Sequence, residues 1–521
     1  MKITIYDTTL RDGSQGEGMS LSLDDKLKIA QKLDQFGVDY IEGGWPGSNP
    51  KDMSFFKEVK KLKLKKAKVA AFGSTRRPNI KAKDDNNLAK LIETKVKVCT
   101  IFGKSWDFHV KEVFKTTLKE NLNMIYDSVS YLKSKKMEVV YDAEHFFDGY
   151  KENPEYAIKT LQEAERGGAS YLVLCDTNGG SLPTEITQII SELKDHVKTP
   201  LGIHCHNDCN LAVANSLAAV DGGALQIQGT INGYGERCGN ANLTSIIPIL
   251  CLKQNVKVVS EKKLKELTEM SRYVAEVCNM PMERNQPFVG KSAFAHKGGV
   301  HVNAMVKNAK TYEHIPPKSI GNNTRFLVSE LSGRSNVLIK SQELALGLDK
   351  ESPETKKILE KVYELENQGY QFEAAEASFE LLMRRMTGKA KKFFELLEFN
   401  VHDEKNEKGK VTSEATIKLK VKGKVEHTAA SGEGPVNALD KALRKALVNF
   451  YPVINEIHLS DFKVRVIDEK AGTDAKVRVF ITFQDEKGSW TTVGVSENII
   501  EASWQALVEA IEYKLLKGAK V

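Results

Sequence analysis

From its first residues to about position 265 this chain repeats one rhythm, a short β-branched run followed by an amphipathic helical stretch. The runs at 2–7, 38–43, 68–73, 96–102, 137–143, 171–176, 201–206 and 224–230 predict strands. Helical periodicity at 24–36, 118–133, 154–166 and 183–196 predicts helices between them. Asp24 and Pro183 stand where helix starts favour them, Gly37 and Gly167 where helix ends do. Strands this apolar, each followed by a helix, imply a parallel sheet covered on its outer face. Eight units are the number that closes a (β/α)8 TIM barrel, an α/β fold with its active site at the carboxyl ends of the strands. A doubly wound open sheet is the weaker reading, because no Gly-x-Gly-x-x-Gly follows the first strand.

The polar residues fall where a barrel would put its chemistry. Asp7, Arg11 and Asp12 follow the first strand, Glu42 the second and Glu144 the fifth. Asp176 and Thr177 follow the sixth, His204 and His206 lie at the seventh, and Asn232 follows the eighth.

Beyond the barrel the rhythm stops. At 521 residues the chain predicts two or three domains: a barrel over 1–265, a mostly helical linker over 266–395, and an α+β domain over 396–521. The middle part carries helical stretches at 262–278, 354–366 and 372–386 around a turn-rich segment, 285–336, long enough to be a lid. Strands are expected at 412–421, 462–467 and 476–483. The runs 434–447 and 496–510 place small and apolar residues at helical spacing, which reads as a duplicated strand-strand-helix unit. No nucleophile–base pattern occurs there, so regulation or dimerisation is the expected role.

Composition narrows the function classes. Hydrophobic residues at 41% and charged residues at 28% describe a globular protein. The net charge of +7 has no basic block interleaved with aromatics, so no nucleic-acid partner is expected. The densest cationic run, Lys60 to Lys68, reads as the solvated end of a surface helix. No apolar run approaches the roughly 18 residues of a membrane span. Seven cysteines without a Cys-x-x-Cys pair fit a reducing compartment, with Cys205 and Cys209 structural. The chain enters a strand pattern at once, without a signal peptide, so a cytoplasmic location is expected.

The stretch Leu201-Gly-Ile-His-Cys-His206 carries the most chemistry. On a strand, alternate side chains share a face, so His204 and His206 point the same way, as half of a divalent-metal site. Asp12 behind the first strand, and Asn240 in Gly235-Glu-Arg-Cys-Gly-Asn240 after the eighth, would complete it, because the first and seventh strands are near neighbours in a closed barrel and the eighth lies between them. Asp, two His and an amide oxygen suit Mn, Mg or Zn, with positions left to chelate a 2-oxo acid. Arg11 would place a permanent charge where an alkoxide develops, or would form an ion pair with Asp7 or Glu42.

Asp7-Thr-Thr-Leu-Arg-Asp-Gly13, His204-Cys-His206 and Asn232-Gly-Tyr-Gly-Glu-Arg-Cys-Gly-Asn240 together resemble the motifs of the Claisen-condensing acyltransferases. These are the isopropylmalate, homocitrate and citramalate synthases, with related metal-dependent lyases. The trailing domain, with Gly432-Glu-Gly-Pro-Val-Asn-Ala438, resembles that family's allosteric amino-acid-binding domain. Arg11-Asp-Gly-Ser-Gln-Gly-Glu-Gly18 and Asp142-Ala-Glu-His-Phe-Phe-Asp-Gly149 are most similar to the citramalate branch, since isopropylmalate synthases more usually carry Pro in place of Glu17.

That resemblance implies pyruvate and acetyl-CoA as substrates, (R)-citramalate as product, a threonine-independent route to isoleucine, isoleucine as effector, and a homodimer. It implies Asp12, His204, His206 and Asn240 as metal ligands and Arg11 as the residue on the keto oxygen. Thr177 would hold the substrate carboxylate, Glu144 would be the catalytic acid group, His301 the base, and Tyr312, matching a tyrosine of the same region, a further catalytic residue. Asn303 departs from the family, whose members often carry Asp there, so the base here would be tuned differently. Phe72 and Phe102, near the ends of the third and fourth strands, are candidates for excluding larger 2-oxo acids, or are ordinary barrel-layer aromatics. The rival readings are the same chemistry on another 2-oxo acid, a metal-dependent aldolase or lyase, and an amino-acid-binding regulator with an inert barrel.

Overall fold

The computed structural model describes residues 2–327, 334–349, 352–405, 407–467 and 469–518. They form two compact units, Met1–Phe294 with Glu313–Thr324, and Ala295–Tyr312 with Arg325–Val521.

The first unit is a closed barrel of eight parallel strands. These are β1 (Thr4–Asp7), β2 (Tyr40–Glu42), β3 (Lys68–Ser74), β4 (Val98–Lys104), β5 (Glu138–Glu144), β6 (Tyr171–Asp176), β7 (Leu201–Cys205) and β8 (Gln226–Gly229). β8 pairs with β1 to close the ring. Strand alternation builds two layers. Ile5, Ile41, Ala71, Ile101, Val139, Leu174, Ile203 and Ile227 point outward and pack beneath the helices. Tyr6, Tyr40, Ala70, Val98, Val140, Val173 and Cys175 point inward and fill the barrel. The inward positions nearer the carboxyl ends are where polar side chains enter.

The helix Leu23–Phe36 starts at Ser22, whose hydroxyl accepts from Asp25 N–H in a capping box. It stops at Gly37, which takes φ 104°. At the helix Pro154–Gly167 the stop is one residue later than expected: Gly168 takes the left-handed conformation, and Gly167 lies inside the helix. A Cβ on Gly167 would come 2.8 Å from Val129 Cβ, so this glycine permits close packing on the helix Leu118–Ser134. The helix expected over 262–278 is broken into Glu261–Leu264 and Leu267–Val277. Lys60 to Lys68 begins, as expected, at the end of a surface helix, in the 3-10 turn Val59–Leu62 after the helix Pro50–Glu58. It runs into β3 with its lysine side chains exposed, while the Asp34 carboxylate accepts from the backbone N–H of Lys65, Lys66 and Ala67.

In the second unit β9 (Ala295–His296) pairs in parallel with β10 (Arg325–Phe326), and a helix, Gly299–Lys307, occupies part of the turn-rich segment. Residues 328–333 of that segment lie outside the described residues. Helices Arg334–Glu343, Pro353–Asn367 and Glu376–Met386 enclose a small core around Val337, Ile358, Val362, Phe379 and Met383.

Two antiparallel sheets follow. The first is β11 (Phe394–Lys405), β12 (Val411–Val421) and β13 (Lys424–Gly432), with the helix Pro435–Leu447. The second is β14 (His458–Val466), β15 (Val477–Asp485) and β16 (Gly488–Ser496), with the helix Ile499–Gly518. The duplicated unit is therefore three strands and a helix, not two strands and a helix. β11, β13 and β16, all edge strands, escaped the pattern; β11 is exposed along most of its length, so nothing imposes apolar alternation on it. Leu439, Leu443 and Leu447 of one helix and Leu507, Ile511 and Leu515 of the other share a core with Ile417, Leu419, Ile481 and Phe483. Among the described residues no helix is long and apolar enough to cross a membrane.

Candidate active site

A cavity of about 230 Å³ opens at the carboxyl ends of the strands. It is lined by Arg11, Asp12, Phe72, Phe102, Glu144, Thr177, His204 and His206 among others. His204 points inward from β7. His206 lies just past its end, where it forms a backbone bridge with Asn240. That bridge, with Asn207 N–H donating to Gly239 O and Ala241 N–H to Cys205 O, carries Asn240 to the histidines across 34 residues of chain. The two imidazole centroids are 5.2 Å apart. One ligand atom from each of Asp12, His204 and His206 lies within 4.8 Å of the others, and all three residues are buried.

The electrostatics fit a cation. Burial alone would raise the Asp12 pKa, but Arg11, His204 and His206 more than reverse this, and Asp12 is held well below the usual carboxylate range. Burial and the neighbouring His204 push His206 down to about 4, so it stands neutral with a lone pair to offer. Burial opposes the charge on His204, but its hydrogen bond to Asp12 outweighs that and raises its pKa. His204 Nε2 and Asp12 Oδ2 are 3.1 Å apart, two groups that attract one another only through a shared proton or a cation. Asn240 Nδ2 donates to Asp12 Oδ2 at 2.8 Å, leaving its Oδ1 buried without a donor. Turning that amide end for end would direct the oxygen toward Asp12. A Cβ at position 235 would sit 2.4 Å from Asn240 Oδ1, which accounts for Gly235. The donor set, one carboxylate, two imidazoles and an amide, is that of a divalent transition-metal or magnesium site.

Arg11 forms the ion pair with Glu42 that its sequence allowed. Its Nε donates to Glu42 at 2.5 Å and an Nη lies 3.4 Å from Asp12, while the guanidinium carbon stands 3.8 Å from the Phe72 ring centroid. Burial would lower its pKa, but Asp12 and Glu42 reverse that and keep it charged. Glu42 is fully buried and also accepts from Tyr6 at 2.7 Å, so it aims Arg11 and does not meet solvent. Thr177 Oγ1 accepts from the His145 N–H at 2.8 Å, which leaves the hydroxyl proton free for a ligand. His145 takes φ 55° where β5 ends, and its side chain pairs with Asp148 instead of lining the cavity. Glu144 forms an ion pair with the buried Lys104.

Not every rim residue faces the cavity. Asp7 and Asp176 follow inward-facing residues and turn the other way, Asp7 accepting from Thr9 and Asp176 from Ser181. Asn232 bonds Ser271 and Tyr234. His301 and Tyr312 belong to the second unit, exposed and stacked on each other with centroids 4.2 Å apart. Cys205 is buried with its thiol pKa pushed up by burial, and Cys209 is exposed.

Three profile matches tile the chain: HMGL-like over residues 2–274, homocitrate synthase post-HMGL domain-like over 288–370, and LeuA allosteric (dimerisation) domain over 373–515. An (R)-citramalate synthase of Geobacter sulfurreducens is 57% identical, covering 100% of this chain and 98% of that protein. The (R)-citramalate synthase of Aquifex aeolicus is 58% identical over 99% of this chain and 98% of its own. The chain belongs to the HMGL-like family, in its citramalate synthase branch. A 2-isopropylmalate synthase of Methanocaldococcus jannaschii stands further off, at 32% identity over 100% of this chain and 96% of that protein. The family is metal-dependent, in keeping with the Asp12, His204 and His206 cluster.

Several residues of this citramalate synthase-type site escaped the sequence reading. Trp45 lines the cavity and packs edge-on against both Phe72 and Phe102, 5.7 Å from each, with Nε1 donating to Asn87. One of four tryptophans set in a Gly-Gly-Trp-Pro-Gly loop at a strand end was a usable signal. Lys104 gave none, because a lysine ending a strand reads as surface. Arg237 binds Asp208 and the Thr177 carbonyl, tying together the loops after β6, β7 and β8.

Proposed function

We propose that this protein condenses acetyl-CoA with pyruvate to give (R)-citramalate and CoA. The observation that carries the reading is a small aromatic-walled cavity ending in the Asp12, His204 and His206 cluster, in a chain that matches citramalate synthases along its whole length. Asp12, His204, His206 and Asn240 would hold a divalent ion, Mn, Mg or Zn, which when bound supplies Lewis-acid polarisation of the keto group.

The chain's own residues do the rest. Arg11, fixed by Glu42, presents its remaining N–H groups where negative charge develops on the keto oxygen. The free Thr177 proton binds the pyruvate carboxylate. His301 takes a proton from the acetyl methyl group, a C–C bond forms to the pyruvate keto carbon as its C=O π bond opens, and the oxygen takes up a proton to become the hydroxyl of citramalate. Water then cleaves the thioester, releasing CoA as the thiol and leaving the second carboxylate of citramalate. Glu144, set by Lys104, handles protons at that step, and Tyr312 packs on the His301 ring. In this reading the enzyme opens a threonine-independent route to isoleucine. A panel of 2-oxo acids with acetyl-CoA and thiol detection tests it. Pyruvate should be preferred, and a preference for 2-oxoisovalerate or 2-oxoglutarate would overturn the assignment.

Phe72 and Phe102 stack with centroids 5.6 Å apart and, with Trp45, wall the cavity. Phe102→Ala should therefore admit 2-oxoisovalerate, moving the kcat/KM ratio toward it by at least about 10–200-fold, the range for a single methylene. Phe72→Ala should instead lower kcat on every substrate, because Phe72 also supports Arg11. Unchanged selectivity in Phe102→Ala would remove that residue from the specificity wall.

The carboxyl-terminal sheets and helices fit an amino-acid sensor that pairs two copies of the chain, with isoleucine as its ligand. Isoleucine at 100 times its Kd should stabilise the protein by about 2.7 kcal/mol, seen as a raised Tm together with inhibition. A protein whose Tm and turnover both ignore isoleucine would refute the effector assignment.

A further inference from the structure

The inward-facing Gln228 of β8 is fully buried and stands beside His204 in the β7–β8 register. Its Oε1 lies 2.9 Å from His204 Nδ1, and its Nε2 donates to Asp142 Oδ1 at 3.0 Å, across the barrel on β5. A primary amide can sit either way round, and the carboxylate decides which. An amide oxygen facing an ionised Asp142 would oppose two acceptors; with the NH2 on Asp142 Oδ1, as here, the oxygen faces His204. That oxygen only accepts, so His204 Nδ1 must carry the proton. Nε2, which faces Asp12, is then the lone-pair nitrogen of the neutral ring.

We propose that Asp142 and Gln228 are a positioning relay that fixes His204 in the Nδ1–H tautomer, the form whose Nε2 binds a divalent ion. The proposal rests on the metal-site reading above and extends it to two residues that would not themselves touch the ion. A buried carboxylate and amide are expensive furnishings for a barrel interior, where apolar side chains would pack at lower cost. Nor does this interior satisfy amides by default. Gln226, two residues earlier on the same face of β8, is fully buried with neither amide atom partnered. The bonds of Gln228 exist because Asp142 and His204 stand where they do. Hydrogen-bond partners that orient ligating histidines typically change metal affinity 10–100-fold when removed.

The test uses the full-length chain stripped of metal and titrated calorimetrically with MnCl2, without pyruvate or acetyl-CoA, beside the Tm of each metal-free variant. Gln228→Met keeps the shape but cannot accept from Nδ1–H. It should weaken Mn²⁺ binding 10–100-fold, with a metal-free Tm lowered only by the hydrogen bonds that Asp142 and His204 lose. Asp142→Ala should weaken binding too. Asp142→Asn, whose amide oxygen can still accept from Gln228, should restore most of it. If Gln228→Met does not fold, the Asp142 pair decides alone. Parental Mn²⁺ affinity in Gln228→Met would overturn the relay, as would equal losses in Asp142→Ala and Asp142→Asn. A parent that binds no Mn²⁺ would overturn it as well. A parent that binds Mn²⁺ yet makes no citramalate would sink the functional reading and leave the relay standing.

Discussion

Asp12→Ala is expected to abolish divalent-metal binding and to lower kcat/KM for pyruvate by at least about 10³-fold, the equivalent of roughly 4 kcal/mol of transition-state stabilisation. The size follows from position. Asp12 is the only carboxylate of the ligand cluster, it is 2% exposed, and its Oδ2 is shared by His204, Asn240 and Arg11. Removing it takes away the negative group beside His206 and leaves that ring facing His204, Arg237 and Arg11. The fold should survive, because Arg11 keeps its bond to the fully buried Glu42. Calorimetry with MnCl2, a melting curve and a thiol-release assay separate the effects. Parental turnover in Asp12→Ala, or full turnover of the parent after exhaustive chelation, would end the metal reading.

Arg11→Lys is expected to cost about 10²–10³-fold in kcat, the usual loss when a preorganised donor to a developing oxyanion is removed. The charge is conserved, so a long-range electrostatic role would leave kcat almost unchanged. The geometry predicts otherwise. Arg11 uses Nε on Glu42, an Nη near Asp12 and its flat face on Phe72 at once. A lysine ammonium is a single point on a flexible stem and would settle on Glu42 or face the cavity, but not hold both places. Steady-state kinetics with pyruvate read the outcome, with KM moving less than kcat because the contact strengthens as charge builds. A kcat within about threefold of the parent would show that Arg11 serves only to balance Glu42 and Asp12.

Much of the catalytic half was legible before any coordinates. The eight strand runs recur because each barrel strand buries both faces, and burial selects β-branched and apolar residues whatever the loops between them do. The pairing of His204 with His206 needed only a strand's two-residue period, and Asp12 needed only the rule that active sites gather at strand ends. The same rule over-reached at Asp7 and Asp176, because parity along the strand, not distance from its end, decides which side chain enters the barrel. The three-strand repeat of the last domain was half hidden: β14, though exposed, was legible from Phe462, Val464 and Val466 on alternate positions, whereas the edge strands β11, β13 and β16 were missed.

What the sequence alone determined, then, is the fold of the barrel and the residue types gathered at its mouth. Periodicity and strand-end placement are local properties, and local properties are written in order along the chain. Only the tertiary structure decided which groups answer one another: Glu42 with Arg11, Lys104 with Glu144, Trp45 with the two phenylalanines, and Asp142 with Gln228, 86 residues apart. Each of these is a polar or aromatic group whose function depends on a partner brought up by another strand or loop. Closure of the sheet into a ring sets such partners side by side, and no stretch of sequence contains that closure.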